Sequence, residues 1–81
     1  MNRKIRMTLI ATYPKMADIF LRLTAEYKDV EAASIYASFE RAVEIAKELE
    51  AKGETDVILS RGGTAAQIQD AVNIPVVFIP I

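Results

Sequence analysis

Four short apolar runs alternate along the chain with three segments of helical periodicity, and this alternation constrains the fold more than any other feature. The connections are short, so consecutive strands are expected to be joined by right-handed helical crossovers, which produce a parallel sheet covered by helices. We therefore predict a single α/β domain over residues 1–81, three-layered, with strand order 2-1-3-4 and three helices. The predicted strands are 5–12, 30–36, 56–60 and 76–81, and the predicted helices are 14–27, 39–52 and 65–72.

Local sequence signals set the predicted helix boundaries. Pro14 suits the first position of the first helix, and Ser38 is a suitable N-cap for the second. Gly53 lies where a C′ glycine ends a helix. Thr64, with Gln67 three residues on, fits a capping box and is predicted to be the N-cap of the third helix.

The first helix carries one continuous apolar stripe. Its members are Met16, Ile19, Phe20, Leu23 and Tyr27, which follow the i, i+3, i+4, i+7 spacing of a single face. We predict that this whole stripe packs against the sheet.

Composition restricts the classes of function that the chain can have. Its 81 residues have room for one domain, and a hydrophobic content of 52% indicates a folded one. Ten basic and eleven acidic residues are intermixed, for a net charge of −1, so no nucleic-acid surface is predicted. Cysteine and histidine are absent, which excludes disulfides, thiolate catalysis and the usual zinc sites, so we expect no cofactor and no metal. No apolar run is long enough to span a membrane and no signal peptide is recognisable, so we expect a cytoplasmic protein.

Two turns are predicted to meet at the carboxyl edge of the sheet, where ligands bind in open α/β folds. One is Thr12-Tyr13-Pro14, and the other is the Ser-Arg-Gly-Gly-Thr segment at 60–64. The second turn offers glycine amides, a helix N-terminus, one guanidinium and two hydroxyls, which together can hold a carboxylate or a phosphate. We predict an anion site formed by Thr12, Tyr13, Ser60, Arg61, Gly62, Gly63 and Thr64.

A purely structural role for this turn remains open. In that interpretation Gly62 and Gly63 make a tight connection, Thr64 caps the helix and Arg61 is solvated. The segment matches neither a Walker A loop nor a G-x-G-x-x-G fingerprint, so we do not expect a nucleotide.

Catalytic candidates near the two turns are few. Only Tyr13, Lys15 and Arg61 could take part in proton transfer or charge stabilisation, and none has an obvious activating partner in the sequence. We therefore expect that the chain is not an enzyme.

Four acidic residues lie close together in the sequence, at Glu48, Glu50, Glu54 and Asp56. They are placed toward the opposite end of the predicted sheet from the two turns. We predict that they form a solvated charge group.

Three segments resemble a known family. They are 9–14 (LIATYP), 42–46 (AVEIA) and 56–65 (DVILSRGGTA) running into 74–77 (IPVV), of which the third is the most specific. In these segments the chain resembles the N-terminal domain of propionate catabolism activators, the PrpR N-terminal family, which precedes the ATPase and DNA-binding domains of sigma-54-dependent regulators. The likeness covers nearly all of this chain but only about the first half of the family's domain.

The resemblance implies a flavodoxin-like half-domain that senses a small anionic metabolite. In the family, such domains are thought to bind an organic acid such as 2-methylcitrate, a tricarboxylate, and to relieve repression of the neighbouring ATPase. Carried onto this chain, the role falls on the residues of the predicted anion site, and the ligand is expected to be a di- or tricarboxylate. The alternative is a structural half-domain or engineered fragment that folds and self-associates without a ligand.

The last strand is predicted to be an unprotected sheet edge, apolar toward both faces, with nothing covering it on the side of the first helix. We expect two copies to form a homodimer through this strand, edge to edge or by exchanging the terminal element. The residues of the expected contact are Val76, Val77, Phe78, Ile79 and Ile81.

Overall fold

A computed structural model describes residues 3–80, which form a four-stranded parallel sheet with helices on both faces. The elements in chain order are β1 (Ile5–Ala11), α1 (Pro14–Thr24), β2 (Val30–Tyr36), α2 (Phe39–Ala51), β3 (Val57–Ser60), α3 (Gly62–Ala71) and β4 (Val76–Phe78). The strands lie in the order β2-β1-β3-β4. This arrangement confirms the predicted three-layer α/β fold.

The central strand β1 sets the register of the sheet. It pairs with β2 along its whole length, starting at Ile5 with Val30. On its other side β1 pairs with β3, and β3 pairs with β4, starting at Ile58 with Val76. Because all pairs are parallel, the carboxyl ends of the strands lie at one edge of the sheet, which we call the carboxyl edge.

Two apolar cores lie on opposite faces of the sheet. On one face, Leu9 and Ala11 of β1 pack against α1. On the other face, Ile10 and Ile58 pack beneath α2 and α3, together with Ile68. Successive strand residues alternate between the faces, so β1, with helices on both sides, is buried from Thr8 to Ala11.

Helix α1 is shorter than predicted, and only part of its apolar stripe is buried. It ends at Thr24, whose hydroxyl donates to the carbonyl of Phe20 at 2.8 Å, instead of continuing to residue 27. Met16 and Phe20 are buried, whereas Ile19, Leu23 and Tyr27 are exposed. The prediction of a fully buried stripe was wrong because α1 packs chiefly on β1 and β2, which leaves one flank of the helix without a partner.

Helix α2 ends at Ala51, one residue before the predicted boundary, in a C-cap built on Gly53. The amide of Gly53 donates to the carbonyl of Glu50, and the amide of Glu54 donates to that of Leu49, which is the Schellman pattern. Gly53 adopts a φ of 63°, the left-handed conformation that this cap requires. At the other end Ser38 occupies the predicted N-cap position, but its hydroxyl makes no capping hydrogen bond.

Helix α3 begins three residues earlier than predicted. Arg61 is extended and occupies the N-cap, since its carbonyl accepts the amide of Ala65 at 3.1 Å. Thr64 is therefore inside the first turn and does not cap the helix. The capping-box prediction was wrong because the hydroxyl of Thr64 is buried and accepts a hydrogen bond from the amide of Phe39 at 3.3 Å.

Three of the strands are also shorter than predicted. β1 ends at Ala11 and β3 begins at Val57, one residue inside the predicted bounds at each position. β4 ends at Phe78, although the amide of Ile79 still donates to the carbonyl of Ser60 at 2.8 Å. Pro80 has no amide hydrogen and stops the pairing. The predicted strand residue Ile81 lies outside the described residues.

Candidate functional site

The carboxyl edge brings together the turns that follow β1, β2 and β3. Sequence reasoning placed the turns after β1 and β3 there. The structure adds the turn after β2, because α2 and α3 pack side by side on the same face. Residue Phe39, the first of α2, thereby lies beside Gly63, the second residue of α3.

The N-terminus of α3 presents backbone amides with no side-chain cap. The first amides of a helix have no partner within the helix, and no side chain caps α3 at Arg61. Gly62 adopts a φ of 58°, and a Cβ built on it would have no neighbour within 4 Å. There is therefore open space beside Gly62, and the first amides of α3 are hydrogen-bond donors at the positive end of the helix dipole.

Arg61 and Tyr13 form a second part of the candidate site. The guanidinium carbon of Arg61 lies 5.4 Å from the centre of the Tyr13 ring. This contact is a cation–π interaction, worth about 0.5–1 kcal/mol at an exposed site. It connects the turn after β1 with the turn after β3 and holds a positive charge at the carboxyl edge.

Ser60 and Thr64 lie within the same turn but point into the protein. The hydroxyl of Ser60 is fully buried and donates to the carbonyl of Ile10 at 2.8 Å. The hydroxyl of Thr64 is held by Phe39, as described above. These two side chains fix the turn in place. Their hydroxyls are therefore not available to a ligand, and the candidate contacts come from the other predicted site residues.

Thr12 occupies an intermediate position. It is half-buried, and its hydroxyl contacts the sulfur of Met16 at 3.5 Å, within the first turn of α1. This is a weak hydrogen bond, since a thioether is a poor acceptor. The hydroxyl remains close to the carboxyl edge and can exchange this contact for a stronger acceptor.

Phe39 is the residue of this edge that sequence reasoning missed. It has a φ of 48°, a left-handed conformation that is strained for a bulky side chain, and it is 57% exposed. Its ring lies 3.7 Å from the position that a Cβ on Gly63 would occupy. Nothing in the local sequence signals this conformation, since glycine, asparagine and aspartate are the usual residues there.

The acidic group at the opposite edge of the sheet was predicted to be solvated. That prediction was wrong for Asp56 and Glu50, whose carboxylates accept hydrogen bonds from other parts of the chain. Asp56 accepts hydrogen bonds from the guanidinium of Arg6 at 3.0 and 3.3 Å, from the amide of Arg6 at 2.8 Å, and from Arg3 at 3.1 Å. The carboxylate of Glu50 accepts the amides of Asn73 and Ile74 just after α3. Both residues hold together segments that are distant in the sequence.

The Arg6 contacts change the protonation behaviour of Asp56. The side-chain hydrogen bond from Arg6, followed by the backbone hydrogen bond from the same residue, lowers the pKa of Asp56 from 3.8 to about 2. The same ion pair raises the pKa of Arg6. This cluster lies far from the candidate site and has a structural explanation.

Two further features of residues 3–80 bear on function. No group of three or more carboxylate, histidine or cysteine side chains lies close enough together there to hold a metal ion. No helix in this part of the chain is both long and apolar enough to cross a membrane.

Comparisons with known proteins point to transcription regulators. A family model described as propionate catabolism activator matches residues 26–81, well over half of the chain, and confirms the resemblance predicted from the sequence segments. The matched range includes the turn at 60–64 but begins after Thr12 and Tyr13. A search of curated proteins gave no match.

A solved structure supports the same assignment. The chain is similar to the crystal structure of an NtrC family transcriptional regulator from Clostridium acetobutylicum, with 32% sequence identity and a TM-score of 0.83. The similarity covers 93% of this chain and 38% of that chain, so this chain spans well under half the length of its solved relative. The two findings support a flavodoxin-like fold and a regulatory domain of a transcriptional activator.

Proposed function

Because the chain belongs to the propionate catabolism activator family, we propose that it is the ligand-sensing part of a transcriptional activator's regulatory domain. The ligand of this proposal is a small anionic metabolite, a di- or tricarboxylate, bound at the turn from Ser60 to Thr64. The observation that supports the proposal is the start of α3, where no side chain caps the helix and the N-cap residue Arg61 keeps its guanidinium against the ring of Tyr13 at the carboxyl edge. A transcription regulator acts where the DNA is, so we propose a cytoplasmic location.

Each proposed contact uses a hydrogen-bond donor at the carboxyl edge. The amides of Gly62 and Gly63 would donate to one carboxylate, as helix N-termini do for many anions. Arg61 would leave or share the ring of Tyr13 to pair with the same or a second carboxylate, and such charge-assisted hydrogen bonds are among the stronger ones in proteins. Thr12 would contribute its hydroxyl from the other side of the turn.

The proposal assigns no catalytic step to the chain. The hydroxyl of Ser60, the first residue of the turn, donates to the carbonyl of Ile10 and is fully buried. The ring of Tyr13 packs against the guanidinium of Arg61. The accessible groups suit binding and are not arranged as a nucleophile with an activating partner.

An amide NMR titration at low salt tests the ligand proposal. Citrate, 2-methylcitrate, phosphate and acetate are added separately, and saturable shifts are expected at Gly62, Gly63 and Thr12, largest for the tricarboxylates. Arg61→Ala should weaken binding by about ten-fold or more, because a hydrogen bond to a charged group contributes about 1.5–3 kcal/mol. Arg22→Ala, which removes an exposed arginine of α1, is the matched control. Absence of saturation at millimolar tricarboxylate, or an equal effect of the two arginine variants, would contradict the proposal.

Self-association through the C-terminal strand is the second part of the proposal. β4 is an edge strand, and its residues Val77 and Phe78 are 47% and 44% exposed. Exposed apolar edges favour pairing with another chain. The contact would include Val76 and Ile79 of the same strand segment, and Ile81 beyond the described residues. A mass corresponding to a dimer is expected in light scattering at about 100 µM, and a monomer mass would refute this part alone.

A further inference from the structure

The free edge of β2 is the longer of the two outer edges of the sheet. β2 pairs with β1 from Val30 to Tyr36, and within residues 3–80 no strand lies on its other side. β4 has three residues and is soon followed by Pro80, which has no amide hydrogen. Short strands and prolines protect a sheet edge against pairing with another chain, and the β2 edge has neither.

The backbone groups of β2 alternate between β1 and the free edge. The amide of Ala37, just after β2, donates to the carbonyl of Ala11 at 3.0 Å, and at the other end the carbonyl of Asp29 accepts an amide of β1 at 2.8 Å. Because successive residues of a strand point their backbone groups to opposite sides, the odd-numbered residues of β2 bond to β1. The residues whose amides and carbonyls point to the free edge are Ala32, Ser34 and Tyr36.

The sequence of β2 is complementary to itself in one antiparallel register. If a twofold axis passes through Ala33, the whole strand overlaps and the outward-facing Ala32 lies opposite Ser34 of the second copy. Ala33 then faces its own copy in a non-hydrogen-bonded pair, where Cα atoms are about 4.5 Å apart and small side chains fit. Glu31 is the only charged residue of β2 and lies opposite Ile35, so no like charges meet across the strands.

Helix α1 fits the same arrangement. It packs on β1 and β2, so across a β2 pair the axes of the two α1 helices are two strand spacings apart, about 9.6 Å, and packed helices lie about 8–10 Å apart. Leu21 lines one cavity together with Ala32 and another together with Ser34. It therefore lies level with Ala33, next to the twofold axis. Leu21 is 42% exposed, and in this arrangement it contacts its own copy.

Exposed aromatic side chains beside β2 also gain partners. Tyr36 lies on the α1 face of the sheet and is 66% exposed. The register places it opposite Val30 of the second copy, and aromatic and β-branched residues form favourable cross-strand pairs. Tyr27 is 63% exposed and lines a cavity with Val30. By symmetry, an apolar contact of these three residues forms at each end of the strand pair.

We propose that two copies of the chain associate through antiparallel pairing of their β2 edges. The two four-stranded sheets become one continuous sheet, with the two α1 helices side by side. The pairing adds about six backbone hydrogen bonds between the chains. This interface lies at the opposite edge of the sheet from the β4 contact proposed above, and it does not use the turns at the carboxyl edge.

Disulfide crosslinking of the full chain locates the twofold axis. The chain has no cysteine, so a single introduced cysteine reports on one position. Ala33→Cys places two thiols across the axis with Cα atoms about 4.5 Å apart, within the range of about 4.4–6.8 Å found in disulfides. Mild oxidation at about 100 µM should convert most of this variant into a covalent dimer. Ala51→Cys, at an exposed position at the end of α2, is the control and should stay monomeric. Val77→Cys reports separately on the β4 contact.

Two further variants test the contacts without crosslinking. Ser34→Pro removes an amide that points to the free edge and no hydrogen bond to β1, and Leu21→Glu places two carboxylates at the twofold axis. Each should weaken dimerisation by about ten-fold or more in sedimentation velocity. Leu23→Glu is the control for Leu21→Glu, because Leu23 is 60% exposed on the flank of α1 away from β2. Circular dichroism checks that each variant is folded.

Several results would overturn the inference. These are a monomer mass of the unmodified chain at about 100 µM, equal crosslinking of Ala33→Cys and Ala51→Cys, or an equal loss of dimer in Leu23→Glu. Crosslinking of Val77→Cys without crosslinking of Ala33→Cys would support the β4 contact and refute the β2 contact. A failed anion titration leaves the expected crosslinking unchanged, so this proposal and the ligand proposal can fail separately.

Discussion

Replacing Gly62 by alanine tests whether the turn at the start of α3 depends on a left-handed residue. Gly62 has a φ of 58°, and an added Cβ would meet nothing within 4 Å. A clash therefore cannot account for any loss of stability, and only backbone strain remains. A left-handed conformation costs a residue with a Cβ about 1–2 kcal/mol, so we expect Gly62→Ala to lower the free energy of unfolding by that amount.

The neighbouring Gly63 provides an internal comparison. Its φ lies outside the left-handed region, and an added Cβ would make an ordinary contact, 3.7 Å from the ring of Phe39. Gly63→Ala should raise the free energy of unfolding by about 0.4–1 kcal/mol, because alanine has fewer conformations to lose on folding. The two alanine variants should thus differ by about 1.5–3 kcal/mol, or at least about 6 °C in Tm for a domain of this size.

Urea unfolding followed by circular dichroism at neutral pH measures this difference, with the m-value checked for each variant. Gly53→Ala is the control for strain at a distant position, since Gly53 has a φ of 63° and similarly open surroundings. It should be destabilised about as much as Gly62→Ala. If Gly62→Ala is as stable as Gly63→Ala, the left-handed start of α3 is not a requirement of the fold.

Two further predictions concern groups that the tertiary structure brings together. The pKa of Asp56 is lowered from 3.8 to about 2, so its contribution to stability is present above pH 3.8 and is lost as the pH falls toward 2. Asp56→Asn should remove the part of the pH dependence of unfolding in that window, and an unchanged dependence in urea unfolding between pH 5 and pH 2 would contradict the assignment. Ser60→Ala should cost about 1–3 kcal/mol, because the buried carbonyl of Ile10 loses its hydroxyl donor. Ser34→Ala, at a half-buried serine of β2, should cost less in the same urea assay, and equal costs would argue against this role of Ser60.

The candidate site shows where sequence reasoning worked and where it could not. The turns after β1 and β3 could be placed together once the strand order 2-1-3-4 was assumed for the parallel sheet, and Tyr13 and Arg61 do lie in contact. The partners of the two hydroxyls could not be predicted. Ser60 bonds to a residue 50 positions away and Thr64 to one 25 positions away, and nothing local to either residue signals its partner.

The prediction that Asp56 is solvated also failed because its partner is distant in the sequence. Asp56 belongs to a run of acidic residues in the sequence, yet its partner Arg6 is 50 positions earlier. The parallel pairing of β1 and β3 brings their amino-terminal ends together, and the backbone of Arg6 itself donates to the Asp56 carboxylate. Acidic residues that are close together in the sequence therefore need not be solvated when they precede a strand, because the neighbouring strand can supply their hydrogen-bond donors.

The sequence by itself determined the order and type of the elements, the parallel sheet and the turn rich in backbone donors, because these depend on periodicity and on the conformations of proline and glycine. Only the tertiary structure decided which face of α1 is covered, since burial depends on where the helix rests across the strands and not on the helix's own pattern. The apolar spacing of Ile19 and Leu23 is the same as that of Met16 and Phe20, but only the latter two have strands beneath them. That difference in coverage leaves Ile19 and Leu23 exposed on one flank of α1.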